Sequence, residues 1–160
     1  MSDRIQPGRV STSWGRIEWL VAEGGIVQLR LPRLDQTPKA PMSILESADD
    51  PFSGFVCGIL SGRTPERPPL GALEGTPFQR RIWQALDGIP RGETVSYGEL
   101  ATRLGMPRSF RALANACGRN PVPLFLPCHR VTGREGRPGG FSAGLAWKRL
   151  LLDLERAAGY

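Results

Sequence analysis

A cysteine and the only histidine of the chain stand side by side at Cys128 and His129, and Arg130 follows them. A free thiol has a pKa of about 8.5, so only a small fraction is ionised at neutral pH, and the thiolate is the nucleophile. A positioned base or a cationic neighbour raises that fraction. The three residues predict either nucleophilic chemistry at the sulfur or a buried thiol beside a hydrogen-bonded imidazole, and the dipeptide alone does not decide between them.

The cysteine ends a loop with three prolines, Pro121, Pro123 and Pro127. Because proline fixes φ and has no N–H to donate, such a loop forms no regular ladder of hydrogen bonds and can hold one side chain in place. Adjacent residues of an extended chain point in opposite directions, so direct contact between thiol and imidazole is not assured, and a bridging water would solve that geometry. The imidazole also needs a carboxylate to fix its tautomer, and sequence spacing alone nominates none.

The other two cysteines, Cys57 and Cys117, each fall on an apolar stripe with helical spacing, which favours a place in the core. Three widely spaced cysteines form no disulfide framework and predict reduced thiols in a cytoplasmic protein. With one histidine no metal-ligand set can be assembled, and no Walker-type phosphate loop occurs, so we expect neither a metal nor a cofactor. Without an apolar run of ~20 residues or an apolar signal region, we expect no membrane association.

The charge of the chain is strongly positive. Its formal net charge is +6 and its pI is about 10.0. Arginine supplies almost all of this charge, because Lys39 and Lys148 are the only lysines. The planar guanidinium suits phosphates and base edges, so the composition indicates a nucleic-acid partner, with a solvated basic surface as the alternative.

Capping signals mark the helices expected in the second half. Thr76 and Ser96 each occupy an N-cap position, with glutamine or glutamate three residues later. The second of these helices ends before Gly105, and a tight turn leads to a third helix over about 108–117 that carries outward arginines. Two short helices joined in this way indicate a helix-turn-helix or an ordinary helical hairpin, and the pattern favours neither. A leucine-rich last helix is predicted over about 142–155.

The first half shows a different pattern. Apolar residues alternate at period two within 11–21 and 26–31, with two glycines between these stretches, which predicts a β-hairpin. Residues 52–60 have the apolar spacing of a short packed helix. Residues 61–75 are rich in proline and glycine, which is typical of a connection between domains.

The sequence around Cys128 resembles that of the O6-alkylguanine-DNA alkyltransferases, also called methylated-DNA–protein-cysteine methyltransferases. The matching stretches are PCHRV at 127–131, GRNPVP at 118–123, GETVSYGELA at 92–101 and FSAGL at 141–145. They follow the order and spacing of that family and cover about 76–155, half of the chain. Residues 1–60 match only in size and in their hairpin-first layout.

The resemblance implies an α+β fold with two domains. Residues 1–75 would form a small N-terminal α/β domain, with an antiparallel sheet and a helix in an RNase H-like arrangement, ending in a proline-rich linker at 61–75. Residues 76–160 would form a mainly helical domain with a winged-helix-like helix-turn-helix. This second domain would bind DNA and accept the alkyl group.

The resemblance also implies a role for each residue of the reaction. Cys128 would accept the alkyl group, and His129, acting through a water, would take the thiol proton. Glu155 would orient His129, Tyr97 would donate a proton towards N3 of the departing guanine, and Asn120 would brace the loop. The thioether product is stable, so each molecule would act once.

Double-stranded DNA carrying O6-alkylguanine, with O4-alkylthymine as a further candidate substrate, would be the partner of a monomer that clusters on DNA. Arg111 would enter the base stack as the damaged nucleotide is extruded, and Ala112 would let the helix approach the minor groove. Further DNA contacts are predicted at Ser96, Arg108, Asn115 and Arg130. Residues lining the guanine pocket would be Pro123, Val131, Phe141, Ser142 and Ala143.

Four positions depart from the family pattern. Phe141 replaces a tyrosine, Ala114 and Ala143 replace glycines, and Phe110 is bulkier than the small residue expected before Arg111. These changes bear on the range of alkyl groups and leave the transfer reaction itself unaffected.

Three other functions were weighed against alkyl transfer. A lesion-binding relative that does not repair would lack the acceptor, so Cys128 argues against it. A helix-turn-helix regulator with a structural cysteine would not require Tyr97, Asn120 and Glu155 to coincide. A cysteine hydrolase built on Cys128 and His129 would turn over repeatedly and would not need DNA.

Overall fold

The computed structural model of the chain describes residues 4–157, with a sheet in the first part and most of the helices in the second. Four strands and a helix form the first part: β1 (Gln6–Thr12), β2 (Gly15–Ala22), β3 (Gly25–Arg30), β4 (Ile44–Ser47) and α1 (Pro51–Leu60). The second part contains α2 (Pro77–Leu86), β5 (Val95–Ser96), α3 (Tyr97–Arg103), α4 (Phe110–Gly118), β6 (Val131–Thr132) and α5 (Leu145–Ala157). The predicted combination of an antiparallel sheet and helices is confirmed.

The sheet is antiparallel, in the order β3-β2-β1-β4. The predicted hairpin of β2 and β3 is confirmed, but the strand expected over 11–21 is broken by a turn at Ser13 and Trp14. Its first residues belong to β1, which the period-two pattern missed because Pro7 and Gly8 interrupt it. Gly8 faces the Trp19 ring, where a Cβ would lie 2.1 Å from Nε1, so a side chain at that position would collide with the ring.

One face of the sheet packs against α1. Val10, Ile17 and Ile26 are completely buried on this face, and Phe55 and Leu60 cover it from the helix, which confirms the predicted apolar face of residues 52–60. At ~25 cal/mol per Å² of apolar surface removed from water, burial of such side chains is the main contribution to the stability of this part. The buried apolar cluster continues without a break into the second part.

Residues 61–75 form no helix and run along β3. The backbone N–H of Ile26 donates to the Pro69 carbonyl (3.1 Å), and the N–H of Gly71 donates to the Ile26 carbonyl (2.8 Å). Arg67 pairs with Asp87 at the end of α2. Residues 61–75 are therefore bonded both to the first part and to the second. The division into two domains between residues 75 and 76 stays a prediction.

Both predicted capping boxes are present, at Thr76 of α2 and Ser96 of α3. Gly105 has the expected positive φ after α3. The next helix, α4, begins at Phe110, two residues later than predicted, because residues 106–109 form a turn in which the N–H of Ser109 donates to the Met106 carbonyl. The last helix begins at Leu145 and not at residue 142, because Gly144 has φ +98°, which no right-handed helix accommodates.

Across residues 4–157, no helix is both long and apolar enough to traverse a lipid bilayer.

Candidate active site

Cys128 lies in the interior, at the start of a single 3-10 turn, Cys128–Arg130. Only 4% of the residue is exposed, and its N–H donates to the Leu126 carbonyl (2.8 Å). Asn120 braces the preceding loop from inside, since its Nδ2 donates to the same Leu126 carbonyl (2.9 Å) and its Oδ1 accepts from the N–H of Val122 (3.0 Å). Leu124, in the middle of the loop, has φ +72°, a conformation that is held only by its surroundings.

Burial raises the pKa of the Cys128 thiol to about 11, although a hydrogen bond with Asn120 and the charge of Lys148 act in the opposite direction. The sulfur of the free protein is therefore protonated at neutral pH. This differs from the expectation that neighbouring groups raise the thiolate fraction, and the physical reason is desolvation. Reaction at this sulfur consequently needs a base that removes the proton as the new bond forms.

The imidazole of His129, the next residue, can act as such a base. Its Nε2 lies 2.7 Å from Oε1 of Glu155, and the ring is buried. Burial lowers the pKa of the imidazole even though the Glu155 carboxylate favours its charged form, so the ring is neutral at pH 7. Because an ionised carboxylate can only accept, the ring proton belongs on Nε2, and Nδ1 is left as the basic nitrogen. Nδ1 is buried and has no hydrogen-bond partner among residues 4–157.

Glu155 is the centre of a network of hydrogen bonds near the end of α5. Arg130 donates to the carboxylate from Nε (3.0 and 3.1 Å) and from Nη2 (2.8 Å), and the backbone N–H of Gly92 donates to Oε2 (3.1 Å). Burial raises the pKa of this carboxyl, but the hydrogen bonds from His129, Arg130 and Gly92 outweigh burial and bring the pKa down to about 2.

The position of Arg130 corrects one prediction. Arg130 was expected to contact DNA, but its guanidinium points inward, with 14% of the side chain exposed, and its Nη1 donates to the Ile89 carbonyl (2.7 Å). The bidentate geometry of guanidinium and carboxylate explains why this arginine is held inside. Arg130 therefore positions Glu155, and through it His129.

Tyr97 is brought to the site by a two-residue parallel sheet. The strand β5 ends immediately before Tyr97, and β6 begins immediately after the turn Cys128–Arg130, so the pairing of these strands places α3 beside the cysteine. No local pattern predicts this pairing, because each strand has only two residues.

The hydroxyl of Tyr97 donates to the Gly140 carbonyl (3.3 Å). Burial, reinforced by the negative charge of the Cys117 and Cys128 thiolates, raises the pKa of the hydroxyl to about 12, so Tyr97 can donate a proton at neutral pH. The ring packs closely against Gly139, where a Cβ would lie 2.7 Å from Cε2. With φ +67° as well, this position requires glycine.

Lys148 is part of the site and was not predicted. Its ammonium is completely buried on α5, and Nζ donates to the carbonyls of Val131 (2.6 Å) and Gly140 (3.1 Å) and to the Tyr97 hydroxyl (3.4 Å). Burial lowers the pKa of Lys148 to about 8. Lys148 is the one cation that approaches both Tyr97 and the Cys128 sulfur in the described part of the chain.

Two signals in the sequence could have identified Lys148. It is one of only two lysines, and it lies seven residues before Glu155, which puts both on one face of the last helix. Cys117, interpreted as a core residue, is buried as expected. It also lies within electrostatic reach of Cys128 and Lys148, and burial together with the Cys128 charge raises the pKa of its thiol to about 12.

The other residues predicted to contact DNA lie mainly on the exposed side of α4 and in the turn before it. Arg111, Ala112 and Asn115 are exposed on α4, and Arg108 is exposed in the turn before it. Ser96 is half-buried, and its hydroxyl accepts from the N–H of Glu99 as an N-cap.

The residues predicted to line the guanine pocket fall into two groups. Pro123, within the cysteine loop, and Val131, directly after the turn Cys128–Arg130, are buried. Phe141, Ser142 and Ala143 form the turn before α5, with Phe141 and Ala143 half-buried and Ser142 exposed. This turn directly follows Gly140, the carbonyl contact of both Tyr97 and Lys148.

Residues 4–157 contain no group of three or more His, Cys, Asp or Glu side chains that could hold a metal ion.

Comparison with known proteins gives the same result for sequence and fold. A family model described as the DNA binding domain of 6-O-methylguanine DNA methyltransferase matches residues 77–157. The methylated-DNA–protein-cysteine methyltransferase of Mycobacterium tuberculosis H37Rv is 39% identical over 140 residues, which cover 86% of this chain and 85% of the relative. The enzyme of the same name from Methanosarcina mazei is 37% identical over 135 residues, or 83% and 85% of the two chains.

A solved structure is similar over nearly the whole length. The chain superimposes on M. tuberculosis OGT, crystallised in complex with DNA, with a TM-score of 0.77 and 33% identity, covering 95% of this chain and 93% of that one. Together with the family model and the relatives, this similarity shows that the chain belongs to the methylated-DNA–protein-cysteine methyltransferase family.

Proposed function

We propose that this protein repairs DNA by transferring a methyl or larger alkyl group from O6 of guanine to Cys128, once per molecule. The observation that carries the proposal is the buried His129–Glu155 pair directly after the buried Cys128, in a chain that belongs to the methylated-DNA–protein-cysteine methyltransferase family. In the reaction the sulfur forms a bond to the alkyl carbon, the carbon–oxygen bond breaks, and its electron pair stays on guanine.

The proton of the thiol passes to His129. Because the imidazole is neutral and holds its own proton towards Glu155, the Nδ1 lone pair is free to accept, and a water between Sγ and Nδ1 would complete the path. The resulting imidazolium is stabilised by the Glu155 carboxylate, whose position Arg130 maintains.

Guanine is a poor leaving group unless its developing negative charge is neutralised. We assign this role to Tyr97, which donates a proton towards N3 of the base. The ammonium of Lys148, 3.4 Å from the Tyr97 hydroxyl, would compensate the charge left on the phenolic oxygen. The turn of Phe141, Ser142 and Ala143, with Pro123 and Val131, would surround the base.

DNA would be bound through α3 and α4 as a winged-helix-like helix-turn-helix, with α4 in the minor groove. Arg108, Asn115 and Ser96 would hold the backbone, Ala112 would allow close approach, and Arg111 would fill the space left by the extruded base. We further propose that residues 1–75 form an RNase H-like domain separate from residues 76–160. We expect a monomer in solution that clusters on DNA.

The test mixes the protein with an excess of duplex that carries one O6-methylguanine, followed by intact mass measurement and peptide mapping. We expect a gain of one methyl group per chain, on Cys128. An unchanged mass with the lesion intact would favour a protein that only binds lesions. Loss of the lesion without alkylation of the protein would show repeated turnover and would exclude the stoichiometric mechanism.

A further inference from the structure

An aromatic side chain is exposed at the start of α4, the helix to which we assign DNA binding. Phe110 is the first residue of α4, and 43% of it is exposed. The other large exposed apolar residues found among residues 4–157 are aliphatic: Ile5, Ile44, Leu45 and Leu145. A single exposed apolar side chain is common on protein surfaces, so the role of Phe110 has to follow from its neighbours.

The side chains of Phe110 and Arg111 project from α4 in contact with each other. The guanidinium carbon of Arg111 lies 5.8 Å from the centroid of the Phe110 ring, in a cation–π contact. The two side chains therefore form a single projection, half apolar and half cationic, on the exposed side of α4. Such a pair can stack with the faces of bases while its charge remains near phosphates.

The projection borders a cleft that leads to Tyr97. The cleft has a volume of about 1000 Å³, and Phe110, Tyr97, Pro107 and Arg134 are among its lining residues. Phe110 therefore lines the same cleft as Tyr97, the proposed proton donor.

Charge identifies the occupant of this surface. Arg103 and Arg134 are exposed and line the same cleft, and Arg108 is exposed next to its lining residue Pro107. Its acidic lining residue, Glu99, is already engaged, because its Oε2 accepts from the N–H of Ser96 (2.9 Å). A planar apolar group surrounded by arginines is complementary to stacked bases between phosphates, and apolar wedges are common in proteins that bind the minor groove.

We propose that Phe110 is a second wedge beside Arg111, which inserts at the minor-groove side of the base step next to the lesion and unstacks it. This inference rests on the proposed function for the identity of the DNA-binding face. Phe110 would thereby lower the cost of extruding the damaged base, and Arg111 would fill the vacated position.

The test uses duplexes with O6-methylguanine and a 2-aminopurine on either side of it, because 2-aminopurine emission rises when the base is unstacked and can be excited apart from tryptophan. The variants are Phe110→Ala and Phe110→Trp, with Leu45→Ala, an exposed apolar residue on β4, as the matched control. We expect the wild type, Phe110→Trp and Leu45→Ala to raise the emission and Phe110→Ala to lose most of the rise. For Phe110→Ala we also expect the ratio of the transfer rate on duplex to that on free O6-benzylguanine to fall roughly tenfold, as for loss of one stacking contact.

Two results would overturn the wedge: an unchanged emission rise with Phe110→Ala, or a faster reaction of that variant on duplex, which would make the ring an obstruction. The emission measurement does not depend on alkyl transfer. A normal emission response without alkylation of Cys128 would therefore contradict the proposed function and leave the wedge standing.

Discussion

The two parts of the molecule bury different kinds of side chain. In residues 4–60 the buried groups are apolar apart from Thr12 and Ser53. In residues 76–157 the interior also contains His129, Lys148 and Glu155. These are the only His, Lys, Arg, Asp or Glu residues that are buried among residues 4–157. Burying a charge lowers stability unless it is paired and hydrogen-bonded, so groups of this kind mark the part that performs chemistry.

The first part contributes stability and support at the cysteine loop. The Phe55 ring of α1 packs 4.4 Å from that of Phe125, centroid to centroid, and the N–H of Leu29 in β3 donates to the Pro121 carbonyl (2.8 Å). We therefore expect substitutions at the site in the second part to reduce alkyl transfer strongly. Substitutions in the first part should act mainly by lowering the free energy of unfolding.

The largest difference between the two parts is expected for one cysteine from each part, Cys128 and Cys57. Cys128→Ala should abolish alkyl transfer, because it removes the proposed acceptor, while DNA binding stays largely intact. Cys57→Ala, in the buried face of α1, should retain transfer. The measurement is intact mass after incubation with lesion duplex, and residual alkylation of Cys128→Ala would contradict the assignment of the acceptor.

The second prediction concerns the network around Glu155. Glu155→Gln leaves Arg130 without its carboxylate and His129 without its orienting partner, so we expect a large loss of transfer and a lower free energy of unfolding, by roughly 3 kcal/mol. Asp153→Asn, which removes an exposed pairing with Arg156, should change stability by less than about 0.5 kcal/mol. Chemical denaturation and single-turnover rates measure both effects.

The same carboxylate predicts how stability depends on acid. The pKa of Glu155 is lower in the folded state, about 2, than its ordinary value of 4.5. Its stabilising effect is therefore complete above pH 4.5 and is lost as the pH falls towards 2. The difference in stability between wild type and Glu155→Gln should shrink over that interval, and a constant difference would show that the network does not act through the charge.

The third prediction concerns Lys148. Its pKa of about 8 means that the ammonium is present below pH 8 and lost above it. If it supports the Cys128 sulfur and Tyr97, the transfer rate of the wild type should stop rising or fall above pH 8. Lys148→Met should transfer the alkyl group about tenfold more slowly at pH 7, because a tenfold change corresponds to one charge-stabilising contact. Its transfer rate should not level off or fall above pH 8. Lys39→Met, on an exposed residue, is the control, and an unchanged pH profile in Lys148→Met would remove Lys148 from the reaction.

The smallest effect is expected in the first part. Phe55→Leu removes the ring contact with Phe125 and should lower the free energy of unfolding by about 1 kcal/mol, with a transfer rate within a few-fold of wild type. Thermal or chemical denaturation measures the first effect, and single-turnover kinetics the second. A strong loss of transfer at unchanged stability would show that α1 positions the cysteine loop for catalysis and would weaken the contrast between the two parts.

Local signals predicted the helices of the second part well. The capping boxes at Thr76 and Ser96 appear as expected, because each is made within four residues. The last helix starts later than predicted because Gly144 has a positive φ, and β1 was missed because Gly8 in it is packed against Trp19 of β2. The family resemblance implied Glu155 as the partner of His129, and in the structure Oε1 of Glu155 lies 2.7 Å from Nε2 of His129.

Sequence by itself determined which residues are candidates for chemistry, since a lone histidine beside a cysteine in a proline-rich loop is visible without coordinates. Tertiary structure decided the burial and the partners of those residues. The inward turn of Arg130, the burial of Lys148 against Tyr97, and the parallel pairing of β5 with β6 all join residues more than 20 positions apart. Protonation follows from this arrangement, because the pKa of a thiol, an imidazole or an ammonium depends on desolvation and on neighbouring charge, which only the folded chain defines.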